Sequence, residues 1–286
     1  MISELITNNT VFIYCIIALF SLAIGSLLNL VIYRLPLMLE SEWKQQCCEF
    51  LELPQEKAKP INLFFPRSFC PNCKCMIRAW QNIPVLSYIF LKGRCFQCHE
   101  RISVRYPLIE LATLFLSLFA AWHFGFTLQL LFALAAIWLL IVMFFIDIDH
   151  QLLPDSLTLS LLWLGLIANT QNLFTSLPNA VLSAVAAYLS LWLFIKLFYL
   201  ITGKVGMGNG DFKLFAAFGA WFGWTFLPLI LLLSSISGAI IGMIYLRVNN
   251  KSQDTTIPFG PFLCFSGMVS LFWGNEVIHW YLKLWT

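Results

Sequence analysis

Charged side chains are scarce in this chain of 286 residues: 11% are Asp, Glu, Lys or Arg, whereas 60% are hydrophobic. Soluble domains carry about 25% charged residues. The scarcity excludes an ordinary soluble globule, and a net charge of +3 is too small to indicate a nucleic-acid partner. The first long apolar run, residues 11–32, has no small-residue cleavage site after it, so a cleavable signal peptide is not expected.

Several motifs of soluble enzymes are also missing. No G-x-G-x-x-G follows a strand-like run, so a soluble dinucleotide or methyltransferase fold is not predicted. The serines of the apolar runs have no His or Lys at a useful spacing, which leaves a serine protease unsupported. Neither an internal repeat nor a low-complexity stretch is present. The chain is therefore best interpreted as an all-α polytopic membrane protein.

The apolar runs predict about eight transmembrane helices. The run 212–224 is short for the roughly 20 residues that a spanning helix needs, so it is tilted or begins inside a water-filled cleft. Joining it to the next run as one bent segment would put Arg247 and Lys251 on the outer side. The predicted spans are 11–32, 107–124, 127–146, 156–172, 178–201, 212–224, 227–246 and 261–282.

The distribution of positive charge predicts the orientation of these helices. Of the 17 Lys and Arg residues, 11 lie from Arg34 to Arg105, and positive residues concentrate in cytoplasmic loops. Segment 34–105 and the breaks at 147–155, 202–212 and 247–258 are thus expected in the cytoplasm, with both termini outside. The predicted domains are a first transmembrane helix (1–33), a cytoplasmic zinc-binding segment (34–105) that opens with a short charged helix, and a membrane core (106–286).

Four of the nine cysteines form two C-x-x-C pairs, CPNC and CFQC, in this segment. Two such pairs about 20 residues apart are typical of a structural zinc site. Disulfides rarely persist in the cytoplasm, and a small segment without much core gains stability from a metal. Cys75 is an alternative to Cys73, but C-x-x-C fits better than the longer spacing. The predicted zinc ligands are Cys70, Cys73, Cys95 and Cys98.

Two aspartates stand at the ends of apolar runs, where ionisable groups are costly and rare. Asp147 ends the run before HQLLPD, and Asp211 follows the glycine-rich sequence GMGNG. Two carboxylates that meet at one depth can share a proton and activate a water. Asp149 remains a rival to Asp147, because only one of them can face a bundle interior. For Asp211, a plain helix cap after a flexible turn is the simpler alternative.

Two other acidic residues are expected to be structural. Asp155, in LPDS, is predicted to be the N-cap of the helix at 156–172. Glu110 lies one turn inside the span at 107–124, where it either lines a cleft or, as we favour, pairs with a basic residue.

Six motifs, taken in order along nearly the whole chain, resemble those of the type IV prepilin peptidases, the bifunctional leader peptidase/N-methyltransferases of type IV pilus and type II secretion systems. They are GSLLNLVIYRLP (25–36), CPNC with CFQC, RYPLIELAT (105–113), FIDIDHQLLPD (145–155), GMGNGDFKL (206–214) and PFGPFL (258–263). GSLLN differs from the commoner GSFLN by one Phe-to-Leu change, which is not expected to matter.

The resemblance implies a GxGD-type intramembrane aspartyl protease of the bacterial inner membrane. It implies Asp147, seven residues before Pro154, and Asp211 as the catalytic pair, and it thereby favours Asp147 over Asp149. Cleavage is expected after a Gly of type IV prepilins and pseudopilins, followed by methylation of the new N-terminus with S-adenosylmethionine. The residues that bind this methyl donor cannot be located from the sequence.

Two other functions compete with this prediction. A transporter could use the aspartates as a proton or cation site, although no halved internal repeat supports it. A non-enzymatic assembly scaffold, anchored by the zinc segment, is the second. Cleavage of a prepilin that depends on Asp147 and Asp211 would exclude both.

Overall fold

A computed structural model describes residues 10–54, 62–65, 67–203, 206–249 and 257–283. Within these ranges the regular structure is helical, with two isolated bridges at Phe69–Met76 and Arg94–Arg101. Short 3-10 turns occupy Ala79–Asn82 and Trp224–Phe226. The helices are α1 (Thr10–Phe50), α2 (Leu86–Phe90), α3 (Arg105–Phe124), α4 (Leu128–His150), α5 (Asp155–Thr170), α6 (Leu177–Thr202), α7 (Asn209–Phe222), α8 (Leu227–Val248) and α9 (Gly260–Lys283).

Every predicted span coincides with one of these helices. Among the described residues, five helices are long and apolar enough to cross a membrane: α1, α3, α4, α6, and α8 with the turn before it. Helices α5 and α7 have only 16 and 14 residues. The all-helical class with several candidate membrane spans is confirmed, and the count of eight spans stays a prediction.

The first helix is longer than expected. The separate charged helix predicted after residue 34 is continuous with the first span, so that α1 runs for 41 residues and contains Pro36. The residues after Pro36 are mostly good helix formers, and no glycine interrupts them. Arg34 is buried, and its Nη1 donates hydrogen bonds to the carbonyls of Asn62 (2.9 Å) and Leu63 (3.2 Å). These bonds hold the segment 62–65 against α1.

The chain divides into two compact units, residues 1–122 and 123–286. In the first, α1 approaches α3 closely through the motif GSLLN. A Cβ on Gly25 would lie only 2.8 Å from the Glu110 Cα, so only glycine fits there without a shift. One turn further on, Asn29 Nδ2 donates to the Tyr106 carbonyl at 3.1 Å.

Among the residues that the structure describes, Glu110 has no basic partner of the kind that we favoured. It is buried, and its Oε2 accepts a hydrogen bond from the backbone N–H of Val85 at 2.8 Å. Val85 has a φ of 58°, which is unfavourable for a β-branched residue. Glu110 therefore stabilises the strained turn that begins α2, and a backbone amide takes the place of the predicted basic partner.

Helix α7 lies at the centre of the second unit. It packs mainly against α5 and α6, and also against α9 and α8. Eleven of its 14 residues are buried, which is the pattern of a helix enclosed on all sides. Its short length thus reflects a position inside the bundle rather than along its outer surface.

Asn169 and Trp221 fasten α5 to α7. Asn169 Nδ2 donates to the carbonyls of Ala220 (2.7 Å) and Trp221 (3.0 Å), and the Trp221 Nε1–H donates to the Leu161 carbonyl at 2.8 Å. The Asn169 Oδ1 accepts the N–H groups of Phe174 and Thr175, each at 3.0 Å. All four hydrogen-bonding positions of this buried amide are used, which fixes the orientation of α7.

Candidate active site

Asp147 lies in the last turn of α4, and its side chain is 5% exposed. The helix ends shortly after it because Gln151 adopts the left-handed conformation (φ 51°, ψ 43°) and donates its N–H to the Asp147 carbonyl at 2.9 Å. Asp149, the rival in the sequence, is exposed. The burial therefore favours Asp147 as the member of this pair that faces the interior of the bundle.

Asp211 lies in the first turn of α7 and is 7% exposed. Its Oδ2 accepts a hydrogen bond from the Gly208 N–H at 3.2 Å. Its Oδ1 is buried and has no hydrogen-bond partner among the described residues. The helix-cap alternative explains the first oxygen, but buried polar atoms without a partner are rare. The second oxygen thus indicates a role beyond capping.

The two carboxyls belong to one site. Leu153 lies against Gly210, the neighbour of Asp211, and against Gly260, which lies against Asp147 Oδ2, although 64 positions separate Asp147 from Asp211 in the sequence. Cys264, four residues after Gly260 in α9, is fully buried. The ends of three helices, α4, α7 and α9, therefore meet around a pair of buried acids.

Glycines permit this close approach. A Cβ on Gly260 would lie 2.5 Å from Asp147 Oδ2. A Cβ on Gly210 would lie 2.7 Å from the Leu153 Cβ, and the Leu153 Cδ1 would be 3.0 Å from a Cβ on Gly260. Leu153 fills the space between the beginnings of α7 and α9, so larger residues at either glycine would displace the site.

Asp155 differs from its predicted role. Pro154 occupies the N-cap position of α5, and Asp155 lies in the first turn. Its Oδ1 accepts a hydrogen bond from the Lys213 Nζ at 2.6 Å in an ion pair. An acidic residue in the first turn is stabilised by the helix dipole. Asp155 thus connects α5 to α7 through Lys213, two residues after Asp211.

The second candidate site is the cysteine cluster. One thiol from each of Cys70, Cys73, Cys95 and Cys98 lies within 4.8 Å of the other three. The Cys70 and Cys98 sulfurs are 3.8 Å apart. Zinc–sulfur bonds of about 2.3 Å place the sulfurs of a tetrahedral site about 3.8 Å apart. The four residues that the spacing predicted therefore fit a zinc ion.

The two halves of the cluster have the same local geometry, 25 residues apart. In the first half, the Cys70 N–H donates a hydrogen bond to the carbonyl of residue 75 at 2.9 Å. In the second half, the Cys95 N–H donates to the carbonyl of residue 100 at 2.8 Å. The Lys74 N–H likewise donates to the Cys70 carbonyl at 2.9 Å, and the His99 N–H donates to the Cys95 carbonyl at 3.0 Å. Each C-x-x-C pair thus forms a closed turn, which we call the first knuckle (residues 69–76) and the second knuckle (residues 94–101).

Nearby groups tune the thiols. The backbone amides of Cys98 and Gln97 lower the pKa of the Cys95 thiol to about 6. A hydrogen bond with the Cys75 thiol raises the pKa of Cys73 to about 11, with the two sulfurs 2.9 Å apart. Cys75 is outside the group of four, which favours Cys73 as the ligand.

Leu153, Gly260 and Cys264 are site residues that the sequence reasoning missed. Cys264 was interpreted as a small apolar residue, and the sequence PFGPFL entered only as a motif of resemblance. The signal was the glycine between Phe259 and Pro261 at the start of an apolar run, a position that allows a close backbone approach. What it approaches could not be inferred without the fold.

Two family models match the chain. The model of the bacterial peptidase A24 N-terminal domain matches residues 19–124, and that of the type IV leader peptidase family matches residues 134–243. A prepilin leader peptidase/N-methyltransferase of Legionella pneumophila is 65% identical over 286 residues, which is 100% of each chain.

The chain belongs to the type IV leader peptidase family. Proteins with the same name from Stutzerimonas stutzeri and Pseudomonas aeruginosa are 52% and 51% identical. Those alignments cover 98% and 99% of this chain, and 96% and 98% of the relatives. No solved structure matches the chain. The family suggested by the six motifs is thereby confirmed.

Proposed function

We propose that this protein removes the leader of type IV prepilins and pseudopilins after a Gly and then methylates the new N-terminal residue. The observation that carries the proposal is the pair of buried carboxyls at the ends of α4 and α7, one oxygen of which has no partner among the described residues. The names of the three relatives, each similar to this chain over nearly its whole length, support both activities.

Asp147 and Asp211 are the proposed catalytic residues. Two neighbouring carboxylates cannot both ionise cheaply, so the pair shares a proton. The ionised member takes a proton from a water molecule, which attacks the scissile carbonyl. The protonated member donates a hydrogen bond to that carbonyl oxygen. The carbon–nitrogen bond then breaks, and the leaving amine takes up the proton that the carboxylate removed from water. The burial of both acids supports this division of roles, because a dry site strengthens each of these interactions.

The protein is proposed to lie in the bacterial inner membrane with eight spans and with both sites toward the cytoplasm. Residues 1–33 anchor it in the lipid bilayer, residues 34–105 form the cytoplasmic segment, and residues 106–286 form the protease core. The prepilin places its apolar helix in the bilayer and its basic leader in the cytoplasm, so the scissile bond lies at the membrane boundary. The positive charge of segment 34–105 supports this orientation.

The cysteine cluster is proposed to hold one structural zinc ion through Cys70, Cys73, Cys95 and Cys98. Four thiolates leave no open coordination position, so we assign the metal no catalytic step. S-adenosylmethionine is the proposed methyl donor, and it supplies an electrophilic methyl group to the amine that cleavage exposes.

One experiment tests both proposed activities, cleavage and methylation. Purified protein in detergent is incubated with a prepilin, with and without S-adenosylmethionine, and the N-terminus of the product is determined by mass spectrometry. We expect a shortened product in both reactions and one added methyl group only when the donor is present. A prepilin that stays intact would overturn the peptidase and would favour a transporter or a scaffold.

A further inference from the structure

A cleft of about 330 Å³ opens beside the second knuckle of the cysteine cluster. Ligand-binding clefts typically measure about 300–1,000 Å³, so this one suits a single small molecule rather than a folded partner. Its lining includes Trp80, Phe90, Lys92, Arg94, Phe96 and His99.

The aromatic part of the lining is unusually exposed. Trp80 and Phe96 contact each other edge to face, with ring centroids 5.7 Å apart, yet they are 43% and 58% exposed. Phe90 is 77% exposed. Exposed aromatic faces stack on heteroaromatic bases, and they also attract organic cations. These rings therefore suit a ligand that combines a purine with a positive centre.

The charged part of the lining is cationic. Lys92 and Arg94 are exposed at the cleft, and no acidic side chain lies among its lining residues. The arginine fork matches a carboxylate with two parallel hydrogen bonds. The cleft thus offers aromatic surface for a base and for a cation, and a cationic rim for a carboxylate.

This lining is not a requirement of the metal-binding turn. The first knuckle has the same backbone hydrogen bonds, but it carries Phe69 where the second carries Arg94 and Pro71 where the second carries Phe96. Two turns that serve the same structural purpose therefore differ in the side chains that form the cleft. The difference indicates a task specific to the second knuckle.

We propose that this cleft binds S-adenosylmethionine, with the adenine against Trp80 and Phe96 and the carboxylate at Arg94 and Lys92. The inference rests on the methyltransferase activity proposed above and supplies its missing site. The amine nitrogen of the cleaved prepilin attacks the methyl carbon. The bond between that carbon and sulfur breaks, its electron pair stays on sulfur to give S-adenosylhomocysteine, and the amine loses a proton to water.

The test measures binding and catalysis separately on the full-length protein. Radiolabelled S-adenosylmethionine is titrated by equilibrium dialysis into wild type, Trp80→Ala, Trp80→Phe and Arg94→Glu. Lys74→Glu is the charge control, because Lys74 is an exposed residue of the first knuckle. Metal content, prepilin cleavage and N-terminal methylation are measured on the same preparations.

We expect Trp80→Ala and Arg94→Glu to weaken donor binding at least tenfold and to reduce methylation. Metal content and cleavage should stay at the wild-type level. Trp80→Phe should keep most of the affinity, and Lys74→Glu should resemble wild type.

Three results would overturn the inference. If Trp80→Ala and Arg94→Glu both keep the wild-type donor affinity and methylate normally, the cleft is not the donor site. The proposed methyltransferase activity would still stand. If Lys74→Glu weakens donor binding as much as Arg94→Glu does, the loss reflects a general charge effect and not a specific site. If the wild-type protein neither binds the donor nor methylates, the proposed methyltransferase activity itself is wrong. This outcome can be seen without any variant.

Discussion

The cysteine site and the aspartate site of this molecule are built in opposite ways. Among the described residues from 62 to 104, only Cys70 and Gly93 are buried. In α7, which carries Asp211, 11 of 14 residues are buried. The cysteine segment has almost no apolar core of its own, whereas the aspartates are held by helices that pack on every side.

This difference shows what each site depends on. A segment that buries so little apolar surface cannot offset its conformational entropy by packing, so we expect its order to depend on the proposed metal. The aspartate site depends instead on packing, because three helix ends must stay within fractions of an ångström of one another. Removing the metal should therefore damage one site, and small changes in packing should damage the other.

The largest effect is expected at the aspartates themselves. Asp147→Ala and Asp211→Ala should each lower the cleavage rate by about 10²–10⁴-fold or more, because each removes a group that transfers or shares the catalytic proton. Prepilin cleavage in detergent measures the rate. The matched control is Asp149→Ala, whose exposed carboxyl should leave activity near wild type. An inactive Asp149→Ala beside an active Asp147→Ala would reverse the assignment.

The second largest effect is expected when a cysteine of the proposed metal site is replaced. Cys70→Ser or Cys98→Ser is expected to abolish metal binding, seen by elemental analysis, and to disorder the knuckles, seen as faster hydrogen exchange over residues 67–101. Helices α4 to α9 should keep their protection, because their packing supplies their stability. Cys75→Ser is the control and should retain one metal per chain. Full metal content in Cys70→Ser would show that Cys75 replaces a ligand.

A single methyl group should disturb the aspartate site. In Gly260→Ala the new Cβ would lie 2.5 Å from Asp147 Oδ2, so that α9 or the carboxyl must move. A misplacement of about 1 Å can cost about 10²-fold in rate. Gly242→Ala is the matched control, because its nearest neighbour is the end of the flexible Ile257 side chain at 3.2 Å. Equal cleavage by both variants would show that the backbone of Gly260 is not part of the site.

The smallest effect on cleavage is expected at the far end of α7. Asn169→Ala removes hydrogen bonds to two carbonyls and two N–H groups and should lower the free energy of unfolding by about 2–4 kcal/mol. A lower apparent melting temperature would measure it, with cleavage per folded molecule nearly unchanged. Thr170→Ala, an exposed neighbour, is the control. If both variants melt alike, the amide does not stabilise α7.

Local patterns were sufficient for the cysteine site. Each C-x-x-C pair forms a turn whose hydrogen bonds close within six residues, so spacing alone predicts that the sulfurs of a pair converge. The helices were equally predictable, because each predicted span corresponds to a helix. The ends of the helices were harder to predict. Helix α1 continues to Phe50, because a proline near the end of a span does not stop a helix when good helix formers follow.

The partners of individual polar residues could not be predicted. Glu110 meets the backbone of Val85 instead of a basic side chain, and Asp155 meets Lys213, 58 positions away, instead of capping its own helix. Gly260 and Leu153 surround the aspartates without any chemical signature of their own. Such contacts depend on which helix faces which, and that is decided by packing across the bundle.

The sequence by itself determined the membrane class, the helices, the four clustered cysteines and the two candidate aspartates. Composition, periodicity and short spacings are local properties, and they act before any helix meets another. Only the tertiary structure decided that Asp147 rather than Asp149 is buried, that α7 is enclosed, and that three helix ends converge around two acids. Those facts follow from the mutual packing of α4, α5, α6, α7 and α9, whose contacts join residues far apart in the chain.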